Sequence, residues 1–222
     1  MARASTGVYR GVGADERRAA RRAALLESAL ELVGSGGWSA ATVRAVSAHA
    51  KLTTRYFYES FESREALLLA LFDAITQEAA ADVVAAVAAE PGDAEAKARA
   101  AIGCFVDLLV EDPRKARVAF TEAEGNDALL RRRRDGRRLF ARLVAEQARG
   151  FYGAPPEHVD HVVEVTATLL AGGFAELLIV WLDGDMAATR DELVDDAAAL
   201  FAAAGGTAAA IARRRASGAE TR

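Results

Sequence analysis

Residues 42–67 constrain the fold more than any other part of the chain, because they read as two short helices joined by a turn, with a third helix following directly. In the first helix Val43, Val46 and Ala50 form one apolar face, and Thr42 stands where an N-cap is expected. Only Ala50, Lys51 and Leu52 then separate it from the next helical pattern. The spacing therefore predicts a helix, a tight turn and a second helix.

The second helix has two faces of different chemistry. Thr53 stands at its N-cap position, and Phe57 and Phe61 lie four residues apart on one face. The opposite face is polar: Thr54, Arg55, Tyr58 and Glu59. Hydroxyls, a guanidinium and a phenol on an exposed helix suit phosphate oxygens and base edges. The pattern is that of a helix-turn-helix, which presents its second helix to a DNA major groove.

Four stretches in order carry a family resemblance: LLESALELVGSGGW (25–38), TVRAVSAHA (42–50), LTTRYFYESF (52–61) and SREALLLAL (63–71). Together they resemble the N-terminal domain of the TetR family, the tetracycline-repressor-like bacterial regulators. One departure concerns the turn, where the family usually has glycine and this chain has Lys51. If that position is left-handed, the lysine costs about 1 kcal/mol.

The helix-turn-helix reading and the resemblance together name the residues expected to touch DNA. Thr54, Arg55 and Tyr56 lie early in the second helix and are expected at base edges, with Arg44 at a base or a phosphate. The resemblance implies phosphate contacts for Thr42, Tyr58 and Arg64. The whole predicted DNA-binding set is Thr42, Arg44, Thr53, Thr54, Arg55, Tyr56, Tyr58 and Arg64.

Charge is distributed unevenly along the chain. The formal net charge is −4, yet residues 1–64 carry ten Lys and Arg against six Asp and Glu, a net of +4. The remaining residues carry −8. A basic N-terminal part on an acidic body favours nucleic-acid contact by one end of the molecule.

The whole chain is expected to be all-α, with about nine helices. We expect a disordered basic arm (1–14), a helix-turn-helix domain (15–64), a helical ligand-binding and dimerisation domain (65–206) and a flexible tail (207–222). The expected helices outside residues 42–61 are 15–33, 63–89, 94–111, 113–122, 127–151, 156–182 and 188–204. Gly205 and Gly206 are expected to end the last of them.

Two basic segments admit two interpretations each. Arg3 and Arg10 of the arm can reach a minor groove or belong to a solvated tail. The arginine run at 131–134 is a second DNA surface or, as we favour, a solvated helix face partly paired with acids.

The last two helices are apolar enough to form a subunit interface. Four-helix bundles formed by these two helices of each subunit join the dimers of the family, and the resemblance therefore implies a homodimer here. Symmetric reading of DNA also needs two copies of the domain. The candidate interface residues are Val162, Thr166, Leu169, Leu170, Leu193, Ala197, Leu200 and Phe201.

The body is expected to hold a small apolar or amphipathic effector, since aromatic and aliphatic walls with few polar groups suit such a ligand. The candidate lining residues are Phe105, Leu109, Phe120, Phe140, Phe174, Leu177 and Trp181. Neither the effector nor the operator sequence is specified by these residues.

Signals for other functions are weak. Cys104 stands alone and excludes an internal disulfide. His158 and His161 share a helical face but have no third ligand of obvious spacing, so no metal and no cofactor is expected. No phosphate-binding glycine loop or nucleophile elbow is found.

We expect a cytoplasmic protein without membrane contact. The function we favour is a homodimeric, ligand-released repressor that binds a palindromic operator; the alternatives are an all-helical ligand-binding protein or enzyme, or a structural adaptor.

Overall fold

The computed structural model describes residues 13–121 and 127–219, and every regular element in these ranges is helical. The helices are α1 (Ala14–Ala40), α2 (Val43–His49), α3 (Thr54–Ser60), α4 (Arg64–Ala89), α5 (Ala94–Glu111), α6 (Pro113–Ala116), α7 (Asp127–Tyr152), α8 (His161–Leu182) and α9 (Arg190–Ala219). A π-helical turn, Arg117–Thr121, follows α6, and a 3-10 turn, Glu157–Val159, precedes α8. The expected all-α fold is confirmed.

The chain divides into two compact units, Met1–Leu71 and Phe72–Arg222. The boundary between the units lies two helical turns after Arg64, the residue at which the sequence predicts it. The first unit extends further because Leu67 and Leu68 at the start of α4 are buried in it. Residues 1–12, which contain most of the expected basic arm, lie outside the described residues.

The first unit is built from α1, α2, α3 and the beginning of α4. Leu25, Ala29 and Val33 form the buried stripe of α1. Val46 of α2 and Phe57 of α3 are fully buried, and the three helices contact one another. The apolar positions of the two short helices therefore provide their stability, because helices of seven residues gain too few hydrogen bonds to be stable alone.

The observed bounds of α4 and α1 compare differently with the expected ones. Helix α4 runs from Arg64 to Ala89 and so agrees with the expected 63–89 within one residue. Helix α1 is longer than the expected 15–33: it passes Gly34 and Gly36 and breaks at Gly37, whose φ of 72° interrupts a helix that ends at Ala40. Only Gly37 of these glycines adopts the left-handed conformation that stops a helix.

The second unit is held together by an apolar core between α5, α8 and α9. Its centre contains Ile102, Val106, Leu178 and Val194, all buried. Helices α7 and α8 pack along each other, joined by a smaller cluster around Ala145 and by an ion pair between Arg149 and Asp160 at 2.6 Å.

Helix α9 corrects the expected end of the last helix and the expected flexible tail from 207. It continues through Gly205 and Gly206 to Ala219. The surrounding alanines favour the helix, and a Cβ added at Gly205 would lie 2.8 Å from Cε2 of Tyr152. Gly205 therefore allows close approach of α7 and α9 instead of ending α9.

Other expected helices are shorter in the structure. The segment expected as 113–122 is one α-helical turn followed by the π-helical turn, and residues 122–126 are outside the described ranges. The segment expected to begin at 156 starts as a 3-10 turn, and α8 begins only at His161.

By length and composition alone, two segments would qualify as membrane spans, Glu157–Leu182 and Arg190–Ser217. The core helices of soluble proteins meet the same criterion, and here α8 packs on α7 and α9, and α9 on α5. Few of their residues are buried within the single chain. These two helices therefore carry more apolar surface than one chain covers.

Candidate nucleic-acid interface

The turn between α2 and α3 is fixed by two backbone hydrogen bonds. The N–H of Leu52 donates to the carbonyl of Ser47 at 2.9 Å, and the N–H of Lys51 to that of Ala48 at 3.0 Å. This is the Schellman pattern, which needs a left-handed residue at its end. Lys51 is that residue, with φ 56°, so the lysine stands in the conformation that usually favours glycine.

Side-chain caps set the directions of α2 and α4. Oγ1 of Thr42 accepts a hydrogen bond from the N–H of Ala45 at 3.1 Å, and Oγ of Ser63 accepts one from the N–H of Ala66 at 3.0 Å. The cap predicted at Thr42 is confirmed. Thr53 occupies the N-cap position of α3 but makes no side-chain cap hydrogen bond, which leaves its hydroxyl exposed at the start of the helix.

Helix α3 buries one face and exposes the other. Phe57 is 0% exposed and its ring meets Phe61 at 5.8 Å between centroids. Thr54 and Arg55 are exposed, and Tyr58 is 61% exposed with its ring edge-on to Phe57. The buried phenylalanines hold the helix on the domain while its polar face stays in solvent.

Arg55 is the cationic residue of α3, and its side chain is accessible to solvent. Its Nε donates to Oε1 of Glu59 at 3.0 Å, and its side chain is 84% exposed. An exposed pair four residues apart on a helix stabilises by only a few tenths of a kcal/mol. The guanidinium can therefore exchange Glu59 for a base edge or a phosphate at small cost.

Two arginines of α1 support α3, a role that our sequence analysis missed. The guanidinium of Arg21 lies 4.6 Å from the ring centroid of Tyr56, and that of Arg22 lies 4.8 Å from that of Phe61. Tyr56 is half-buried as a result. The consecutive arginines one turn before Leu25, on the side of the apolar stripe of α1, were the available signal, but nothing local identified their aromatic partners.

Arg64 is engaged within the domain. Its guanidinium stacks on the ring of Trp38, 3.9 Å from the centroid, and Nη2 donates to the carbonyl oxygen of Trp38. Its Nε is buried without a hydrogen-bond partner, and burial lowers the pKa of Arg64. This side chain joins the start of α4 to the end of α1 and is poorly placed for the phosphate contact expected of it.

The predicted DNA-binding residues therefore separate into two groups. Tyr56 and Arg64 are half-buried and stacked on other side chains. The others are exposed on α2, on α3 or just before them: Thr42, Arg44, Thr53, Thr54, Arg55 and Tyr58. The exposed set forms a hydroxyl-rich surface with two guanidinium groups, suited to an anionic partner.

The arginine run of α7 is partly paired. Nη2 of Arg132 contacts Asp73 at 2.6 Å and Nη2 of Arg133 donates to the carbonyl of Val118 at 3.1 Å, while Arg131 and Arg134 are exposed. The structure thus matches the mixed, partly paired face expected here.

A cavity of about 840 Å³ lies in the second unit. Five of the predicted lining residues line it: Phe105, Leu109, Phe120, Phe140 and Phe174. Leu177 and Trp181 do not; they pack against the apolar core, and Nε1 of Trp181 donates to the carbonyl of Ala188 at 2.8 Å.

Several candidate interface residues of α8 and α9 are used within the chain. Val162, Leu193 and Ala197 are buried, Phe201 packs on the apolar core, and the cavity is lined by two more, Thr166 and Leu170. The most exposed large apolar residues of these two helices are Val165, Leu169 and Leu200, exposed by 55%, 71% and 66%. An interface formed by these helices must therefore use the outer face that carries these three.

In the described ranges no three His, Cys, Asp or Glu side chains lie together as a candidate metal site. His161 is instead 3.3 Å from Nη1 of Arg215 on α9.

Comparison with known proteins identifies the first unit. Residues 25–71 match the family described as bacterial regulatory proteins, tetR family. The chain matches no curated protein.

Solved structures share the fold across most of the chain. The fatty acid degradation regulator FadR from Bacillus halodurans is 18% identical, with a TM-score of 0.68 over 81% of this chain and 97% of that one. A putative TetR-family regulator from Rhodococcus sp. is 18% identical, with a TM-score of 0.65 over 82% and 96%. A putative regulator from Pseudomonas aeruginosa PAO1 is 18% identical, with a TM-score of 0.62 over 89% and 94%.

The family match covers α2, the left-handed turn and α3, the elements that carry the exposed polar surface described above. Members of this family are DNA-binding regulators and not enzymes. Residues 25–71 therefore match the tetR-family bacterial regulatory proteins, and the chain shares the fold of solved TetR-family regulators.

Proposed function

We propose that this protein is a cytoplasmic, homodimeric repressor that binds a palindromic operator and is released by a small effector. The observation that carries the proposal is the polar face of α3, exposed above the buried Phe57 within a tetR-family domain. A helix that served only as part of a core or as an adaptor would not need this set of hydrogen-bonding groups on its outer side.

Roles at the operator follow from exposure. Thr54 and Arg55 read base edges in the major groove, because they lie in the first turn of α3. The phenol of Tyr58 and the hydroxyl of Thr42 contact phosphates; the Thr42 oxygen accepts the cap hydrogen bond and its proton remains available to donate. Arg44 adds a guanidinium from α2.

The two half-buried residues act indirectly in this proposal. Tyr56 under Arg21, and Arg64 on Trp38, hold α3 and the start of α4 in place. We therefore remove Arg64 from the expected phosphate contacts and give it a positioning role.

Dimerisation is supported by the uncovered apolar face of α8 and α9. Val165 and Leu169 on α8 and Leu200 on α9 leave large apolar side chains in solvent, and a second copy would cover them. A twofold dimer presents two α3 helices, so its operator is an inverted repeat.

Effector control is supported by the cavity and by the continuity of α4. The same helix that begins at Arg64 in the first unit contributes Phe72 and Ile75 to the cavity lining. An effector that changes the position of α4 would change the separation of the two α3 helices and lower DNA affinity.

Selection from a random oligonucleotide pool tests the central proposal. The wild-type protein should enrich an inverted repeat, with affinity that falls steeply as salt rises because bound phosphates release counterions. Arg55→Ala should relax base preference in one position of each half-site and cost about 1–3 kcal/mol. Arg214→Ala, which removes another exposed arginine, on α9, serves as the matched control.

The outcomes separate the alternatives. Enrichment of an asymmetric site would contradict the dimeric reading. No enrichment at all would leave a helical ligand-binding protein without DNA function. Equal behaviour of Arg55→Ala and Arg214→Ala on selected DNA would remove α3 as the reading element.

A further inference from the structure

The cavity of the second unit is long. Its lining follows α7 from Arg133 to Tyr152, which spans about 28 Å at 1.5 Å per residue. It also follows α5 from Ala94 to Leu109 and α9 from Phe201 to Ser217, each over more than about 20 Å. A cavity lined lengthwise by several helices is a channel that runs along them.

The channel also has room for a long ligand. Its volume is about 840 Å³, and its lining extends for about 28 Å along α7. An aliphatic chain can therefore lie extended along its length.

The ionisable residues of the lining are mostly cationic, although the body as a whole is acidic. They are Lys97, Arg133, Arg137 and Arg213 against Glu176 alone. The rest of the wall is dominated by Phe, Leu, Ile, Val and Ala. An apolar channel with a positive excess suits a ligand with an apolar body and an anionic group.

The exposed lining residues locate a mouth. Most of them come from the C-terminal ends of α7 and α9 and from the segment after α7, including Gln147, Phe151, Pro156 and Arg213. These ends lie together at the start of α8, because Nη1 of Arg215 on α9 is 3.3 Å from Nε2 of His161 and Arg149 of α7 pairs with Asp160 at 2.6 Å. The channel is open to solvent at this end.

The cations differ in their availability. The ammonium of Lys97 donates to the carbonyls of Val87 and Glu90 at the end of α4, and Arg133 donates to the carbonyl of Val118. Arg137 shares its end of the channel with Glu176, since α8 returns antiparallel to α7. Arg213 lies exposed at the mouth, where the described lining holds no carboxylate.

We propose that the effector is an anionic amphiphile with a long aliphatic chain, such as a long-chain carboxylate or its ester with a charged headgroup. The head lies at the mouth beside Arg213, and the chain runs inward toward Phe72 and Phe120. A charged head near solvent avoids the desolvation cost of a buried one. This proposal names the ligand class of the effector and rests on the proposed function, in which an effector releases the protein from DNA. Binding of the ligand itself is measured without DNA.

Calorimetric titration of the full-length protein tests the ligand class with a series of probes below their micelle concentrations: octanoate, dodecanoate and hexadecanoate. The Kd should fall by up to about fourfold for each added methylene until the channel is full. Hexadecanol should bind more weakly than hexadecanoate, and hexadecyltrimethylammonium more weakly still. A Kd independent of chain length, or a preference for the cationic probe, would overturn the proposal.

Two variants test the orientation. Arg213→Glu should weaken hexadecanoate by about tenfold or more while leaving hexadecanol unchanged. Arg214→Glu, exposed on the same helix outside the lining, should change neither. Equal loss in both variants, or no loss in Arg213→Glu, would contradict a head at the mouth.

A third variant tests the direction of the chain. Thr76→Phe fills the inner end of the channel, where Thr76 lies near Gly136. It should shift the preferred chain toward dodecanoate, with circular dichroism and melting used to confirm the fold. An unchanged preference for hexadecanoate in a folded variant would contradict an inward-running chain.

Failure of this inference and failure of the proposed function are distinguishable. Binding of hexadecanoate without any effect on operator affinity would support the ligand class and contradict effector release. Operator binding that no amphiphile in the series affects, together with no calorimetric binding, would overturn the ligand class and leave the DNA-binding function intact.

Discussion

Lys51 stands in a left-handed conformation that side chains with a Cβ usually avoid. The Schellman hydrogen bonds of Ser47 and Ala48 hold it there, so the turn is kept at the expense of local strain. The sequence pattern predicted both the turn and the cost, because turn length and residue type are local properties.

Lys51→Gly should raise the free energy of unfolding by about 1 kcal/mol, since glycine adopts this conformation without a steric penalty. Lys51→Ala is the matched control, because it removes the same charge and keeps the Cβ. Chemical denaturation at fixed protein concentration measures both. A Lys51→Gly variant no more stable than Lys51→Ala would show that the turn is unstrained.

Arg64 illustrates what local pattern misses at the residue scale. The family resemblance implied a phosphate contact for it, but its guanidinium lies on Trp38, twenty-six residues earlier in the chain. The same holds for Arg21 and Arg22 over their aromatic rings. Stacking partners distant in sequence depend on how helices pack, which residue spacing alone does not contain.

At the scale of elements, helices with local start and stop signals were predictable. Helix α5 matches the expected 94–111, because Asp93 caps it through the N–H of Ala96 at 2.9 Å and Asp112-Pro113 follows it. The end of α9 was missed, because Gly205 and Gly206 look like a stop. Their contact with Tyr152 on α7 reverses that meaning.

The two glycines should respond oppositely to alanine. Gly205→Ala places a Cβ 2.8 Å from the Tyr152 ring, so it should destabilise by about 1 kcal/mol despite a better helix propensity. At Gly206 the nearest Tyr152 atom is 4.0 Å away, and alanine there should stabilise by up to about 1 kcal/mol. Thermal unfolding at equal concentration compares them; effects of the same sign would contradict close packing at Gly205.

At the scale of the whole molecule, the outer face of α8 and α9 determines the expected assembly. The sequence identified the two helices, but could not separate their inner from their outer residues, since α8 is apolar on most sides. Burial now assigns Leu193 and Ala197 inward and leaves Leu169 and Leu200 outward.

Leu169→Glu combined with Leu200→Glu should therefore give a monomer, because each buried leucine stabilises an interface by about 1.5–3 kcal/mol. Val110→Glu, at an exposed apolar position of α5, is the control and should remain dimeric. Sedimentation velocity distinguishes the two. A double variant that sediments like the wild type would place the interface elsewhere.

Effector and operator should oppose each other's binding to an equal extent. We expect a coupling free energy of about 1–3 kcal/mol, or about 5–150-fold in Kd, measured by titrating hexadecanoate against free and operator-bound protein. Equal affinity of the effector for both states would contradict release from DNA and leave a constitutive binder or an activator.

The long channel with its mouth at the end of α7 also affects the rates at which an effector binds and leaves. An amphiphile that leaves through this mouth must withdraw its tail past the walls of α5, α7 and α9, and each methylene that returns to water costs about 0.8 kcal/mol. Residence therefore lengthens steeply with chain length, whereas entry does not. Such a regulator would respond to the arrival of a long chain promptly and to its disappearance slowly, retaining a record of recent exposure.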